Sequence, residues 1–131
     1  MKVLALDYGS ARTGVAVSDP TGTVARPVGV VEGAASDDGL ARLAELVREH
    51  GAERVVVGKP LTMRGEAGEQ AAETERFVTR LRETLAVPVE SFDERFTTDL
   101  AEQTGGTHSE DARAAAHLLS SYLTWSSSTR P

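Results

Sequence analysis

The chain of 131 residues contains no cysteine, which excludes disulfides and thiolate metal centres. Lysine is nearly missing as well: Lys2 and Lys59 are the two that occur, so basic character rests on arginine. Aromatic residues make up 5% of the chain, and no apolar run approaches the roughly 20 residues of a membrane-spanning helix. Basic residues are outnumbered, 14 against 20 acidic, and the net charge of −6 argues against a broad cationic surface for nucleic acid, while leaving room for a local one. The N-terminal residues enter a strand pattern directly and show no signal-peptide pattern, so a cytoplasmic protein without a membrane partner is expected.

What is present is an ordinary globular composition, 40% hydrophobic and 26% charged, at a length that suits one domain. Residues 2–7 read as a buried strand, with further strands over 14–18 and about 24–31 joined by the Pro20-Thr21-Gly22 turn. Leu40, Leu43, Ala44, Leu46 and Val47 share one helical face between Ser36 and Gly51. Val55-Val56-Val57 predicts a buried strand, 67–85 a helix with Phe77, Val78, Leu81 and Leu85 inward, and 88–93 a fifth strand. On that second helix Glu69, Glu73, Arg76 and Arg80 are expected to form a solvated, ion-paired face. A short helix is predicted near Thr97 and a last one from Glu110 to Leu123. The order βββαβαβαα predicts an α/β fold, a mixed five-stranded sheet with helices on both faces, over a single domain 1–124 and a frayed tail 125–131.

One residue breaks this pattern. Asp7 ends the apolar run Val3-Leu4-Ala5-Leu6, where a carboxylate is costly unless something pairs with it. If the first strand is central, its carboxyl end meets those of the fourth and fifth strands, which brings Asp7, the segment from Gly58, and Glu94 to one edge, the usual place for a ligand in such sheets. A third carboxylate is available in Glu110 or Asp111. Carboxylates gathered without histidine or cysteine suit Mg²⁺ or Mn²⁺. The plainer alternatives are a turn cap for Asp7, and for Asp111 a first-turn acid behind a Ser109 cap. Asp93 and Glu94 point to opposite faces if the strand continues, so one of them faces the site. Among the cations, Arg12, Lys59, Arg64 and Arg95 follow strand ends and are candidate phosphate contacts.

Four segments in order, LALDYGSARTGVAVSD, VVVGKPLTMRGEAGEQA, VPVESFDERFTT and DARAAAHLLSSYL, resemble the YqgF family, also called Holliday-junction resolvase-like proteins and associated with maturation of pre-16S ribosomal RNA. The resemblance implies a ribonuclease H-like fold and metal-dependent phosphodiester cleavage. It assigns the acidic triad to Asp7, Glu94 and Asp111, as catalytic residues and ligands of Mg²⁺ or Mn²⁺, and substrate contacts to Arg12, Lys59 and Arg95. The implied partners are precursor ribosomal RNA, or branched DNA, together with ribosome-associated factors.

The chain departs from the family pattern before its last aspartate, where members usually carry a longer stretch rich in lysine and arginine. Residues 100–110, LAEQTGGTHSE, contain neither, which predicts weakened substrate affinity more than altered chemistry. Three function classes are therefore open: a nuclease acting on RNA or on branched DNA, a non-catalytic RNA- or ribosome-binding module on the same scaffold, and a nucleotide-binding relative of the actin-like kinases. The last needs two domains to close over its ligand, and the length supplies one.

Overall fold

The computed structural model describes residues 1–59, 69–93 and 110–129. The strands are β1 (Val3–Asp7), β2 (Arg12–Ser18), β3 (Ala25–Glu32), β4 (Arg54–Lys59) and β5 (Val89–Asp93). Helices α1 (Asp37–His50), α2 (Glu69–Thr84) and α3 (Glu110–Thr129) complete the described elements. They form a mixed five-stranded sheet in the order β3-β2-β1-β4-β5. Strand β1 is central, antiparallel to β2 and parallel to β4, as the placement of Asp7 at a ligand edge requires. The helix expected near Thr97 falls outside the described residues.

The period-two alternation of the strands divides the core into two. Leu4, Leu6, Val15, Val55, Val57 and Val89 pack against Leu40, Leu43 and Leu46 of α1 and Phe77, Val78 and Leu81 of α2. Val3, Ala5, Ala16, Val56 and Phe92 face the other way and meet Ala115, Leu118, Leu119 and Tyr122 of α3. Helices therefore cover both faces, with α3 by itself on one of them among the described residues. Alanines at Ala5, Ala16, Ala112 and Ala115, all fully buried, thin this second layer and bring α3 close to the sheet.

Local chemistry sets the ends of α1 as the sequence predicts. The Ser36 hydroxyl accepts a hydrogen bond from the Gly39 amide at 3.0 Å, Asp37 and Asp38 lie in the positive first turn, and Gly51 closes the other end by donating to the Arg48 carbonyl. At α3 the structure corrects the expected boundary. The helix continues to Thr129, past the Leu123 expected, and Trp125 packs on Phe92 and Tyr122 with ring centroids 5.6 and 5.8 Å away. Aromatic burial across the sheet outweighs the weak helix preference of the serines that follow.

On α2 the expected solvated, ion-paired face holds at Arg80, which stays exposed, bonds the Ala35 carbonyl and, at 2.8 Å, pairs with the Asp37 carboxylate, fastening α2 to the start of α1. Glu73 is half-buried.

Candidate active site

The site is built from the carboxyl end of β1 and the first turn of α3. In β1, Val3 and Ala5 face α3 while Leu4 and Leu6 face α1 and α2, so alternation sends Asp7 to the α3 side. Its cross-strand partner is Gly14, which shares that side. A methyl group placed on Gly14 would lie 1.9 Å from the Asp111 carbonyl oxygen and 2.5 Å from its carbon. The backbone of α3 thus lies directly over the strand pair at Asp7, in space that only glycine leaves open. This contact brings Asp7 and Asp111, distant in sequence, to one place. Glu110 precedes Asp111 in the same turn and is exposed.

Between β1 and β2 the chain reverses through Gly9, Ser10 and Ala11. A side chain on Gly9 would sit 2.5 Å from the Arg12 carbonyl oxygen, so the turn also needs glycine. The Gly33 amide donates to the Ala11 carbonyl at 3.1 Å and ties the turn to the end of β3. From this fixed turn Arg12 reaches across to Asp111, its Nε 3.2 Å from Oδ2, with the arginine side chain 63% exposed and the aspartate 36%. A guanidinium and a carboxylate from two separate candidate groups are therefore in contact.

Lys59 lies on the other side. It pairs with Glu75 of α2 at 3.4 Å, across the face opposite α3. On the same face the Tyr8 ring stacks on Phe77 of α2 with centroids 4.4 Å apart. Burial, and then the hydrogen bond and negative charge of Glu73, raise the Tyr8 phenol above its usual range, with Arg76 opposing. The substrate-contact candidates Arg12 and Lys59 are thus separated by the sheet edge.

Glu94, Arg64 and Arg95 lie outside the described residues. Among the described residues no cluster of three or more metal-ligating side chains occurs. The donor chemistry of the two described acids, oxygen ligands from two rigid elements with no soft atom beside them, fits a hard divalent cation. Sequence reasoning passed over two residues here. Gly14 was visible as a glycine inside a strand, a known sign of close backbone approach. Arg113, in the first turn of α3, has a buried Nε without a hydrogen-bond partner among the described residues, and nothing in the local sequence announces it.

A family model described as "RuvX: Holliday junction resolvase" matches residues 1–125. The chain belongs to the RuvX family. This is the family its four motifs resemble. A relative from Chloroflexus aggregans named "Putative pre-16S rRNA nuclease" is 50% identical over 101 residues, 77% of this chain and 71% of its own length. One of the same name from Syntrophomonas wolfei is 36% identical over 132 residues, covering 94% of each chain. Among solved structures, T. thermophilus RuvC in complex with a Holliday junction substrate superposes with a TM-score of 0.67 at 16% identity, over 98% of this chain and 97% of that one. The chain therefore has the RuvC-like, ribonuclease H-like fold. Among its described residues no helix is long and apolar enough to cross a membrane.

Proposed function

We propose that the protein is a divalent-metal-dependent nuclease that cleaves phosphodiester bonds of precursor ribosomal RNA at the 5′ side of the small-subunit sequence, in the cytoplasm. The observation that supports this reading is the contact of the Asp111 backbone with Gly14, the cross-strand partner of Asp7, which brings the backbones bearing these two acids together at the carboxyl end of the central strand. The names of the Chloroflexus and Syntrophomonas relatives support RNA as the substrate.

Asp7 and Asp111, with Glu94 as the third acid, would hold Mg²⁺ or Mn²⁺. When bound, a pair of such cations lowers the pKa of a water and stabilises the leaving oxygen of an in-line displacement. The protein's own contribution is positional. Asp7 is held by the sheet and Asp111 by a helix pressed on that sheet, so the backbones that carry the two acids are fixed in place. Arg12 and Arg95 neutralise phosphates of the bound strand and set its register. Lys59 contributes once it leaves Glu75, whose pairing with it is exposed and weak.

The family description favours a second substrate, a branched DNA. The deciding assay incubates purified protein with labelled 5′-extended pre-16S RNA and with a four-way DNA junction in Mg²⁺, Mn²⁺, Ca²⁺ or chelator. Cleavage of the RNA in Mg²⁺ or Mn²⁺, little in Ca²⁺ and none in chelator is the expected pattern. Cleavage confined to the junction would transfer the reading to DNA. No cleavage of either, with RNA still bound, would make the protein a binding module.

A further inference from the structure

Four of the described cations pair with carboxylates of the scaffold. Arg42 pairs with Glu45 and Glu49 inside α1, Arg54 with Glu90 across neighbouring strands, Lys59 with Glu75, and Arg80 with Asp37. Arg12 differs among the described residues, because its partner Asp111 is one of the carboxylates proposed above as a cation ligand. One Oδ atom cannot fully serve a guanidinium and a divalent cation at the same time. Two positive charges competing for it also repel.

We propose that Arg12 is a two-position residue: it neutralises Asp111 while no divalent cation is bound, and it turns to a phosphate of the nucleic acid when a cation takes Asp111. The inference rests on the metal reading and adds a coupling between cation and substrate. Three features of the structure carry it. The backbone around Arg12 is fixed, by the Gly9 turn and by the Gly33–Ala11 hydrogen bond, so the switch needs only side-chain rotation. The side chain is 63% exposed, so that rotation meets little packing. The contact is a single Nε–Oδ2 approach on the surface, of a class weak enough for a cation to displace. A guanidinium released beside a metal-bound phosphate has the planar donor fork that phosphate oxygens accept.

The arrangement makes cation and RNA binding mutually reinforcing, since each removes a competitor of the other. It also neutralises the carboxylate cluster in the cation-free protein, where like charges would otherwise repel.

The test has one arm with metal and one without. By calorimetry in the absence of RNA, Arg12→Ala should bind Mn²⁺ about two- to five-fold more tightly than wild type, the range of a displaced surface ion pair, while binding a short single-stranded RNA more weakly. In chelator, Asp111→Asn should gain RNA affinity by freeing Arg12. Asp7→Asn, which removes the same charge without freeing Arg12, should gain less, and the double variant Arg12→Ala/Asp111→Asn should lose the gain. Equal or weaker Mn²⁺ binding by Arg12→Ala would overturn the competition. Equal RNA gains in Asp7→Asn and Asp111→Asn would overturn the release of Arg12. If wild type binds no Mn²⁺, the metal reading itself fails, and the chelator arm, which uses no metal, still decides whether Asp111 restrains Arg12.

Discussion

At the scale of single residues, the site depends on an absent side chain as much as on those present. Replacing Gly14 by alanine would drive a methyl group into the Asp111 carbonyl, and backbone yields less readily than a side-chain tip. Gly14→Ala should destabilise the fold by about 1–3 kcal/mol, the usual cost of overpacking, in urea unfolding, and should weaken Mn²⁺ binding by lifting α3 from the strand pair. Unchanged stability and unchanged Mn²⁺ affinity would show that the close approach matters to neither. Asp7→Asn should abolish Mn²⁺ binding and leave the metal-free protein as stable as wild type or more so, because it relieves repulsion among the acids. Asp7 was legible in the sequence because a carboxylate after four apolar residues needs a reason. For Gly14 the sequence offers a glycine inside a strand, a sign of close backbone approach, but not which element approaches, because that element comes from the far end of the chain.

At the scale of elements, local signals succeeded where local physics decides the outcome. The strands follow from β-branched runs and alternation, and α1 from Ser36, its 3.6-residue apolar period and Gly51. They failed at the end of α3, where Trp125 is retained by aromatic contacts with Phe92 on another element. Likewise the fastening of Arg80 to Asp37, residues far apart in the chain, has no local signature. Trp125→Ala should therefore fray the last turns of α3, seen as faster amide exchange there, while leaving exchange in β1 unchanged. The β2–β3 connection offers a pH test. Asp19 accepts hydrogen bonds from the Thr21 hydroxyl and the Val24 and Thr23 amides, and these hold its carboxyl well below the usual range. A lowered folded-state pKa gives stability that is present above the unfolded value, near 4, and lost as the pH falls toward the folded one. Asp19→Asn should accordingly cost stability at pH 7, and its difference from wild type should narrow as the pH falls below about 4. A difference that stays constant from pH 7 to pH 3 would refute the role of the charge.

At the scale of the whole molecule, an acidic protein is asked to hold a polyanion. With acidic residues outnumbering basic ones and Lys59 paired to Glu75, RNA affinity should depend weakly on salt, with a log–log slope of about −1.4 to −2.1 if Arg12, Arg95 and Lys59 make two or three single-strand phosphate contacts. A much steeper slope would reveal a basic surface beyond Arg12, Lys59 and Arg95. Weak intrinsic affinity would also leave partner factors on the ribosomal precursor to supply the remaining binding energy. The central claim is that the carboxylates gathered at the end of β1 perform metal-dependent cleavage. The most direct measurement compares wild type and Asp7→Asn on labelled 5′-extended pre-16S RNA in Mg²⁺, recording binding and cleavage on the same samples. The account predicts that both proteins bind the RNA, that wild type shortens it, and that Asp7→Asn leaves it intact; cleavage by Asp7→Asn at the wild-type rate would contradict the assignment of the site.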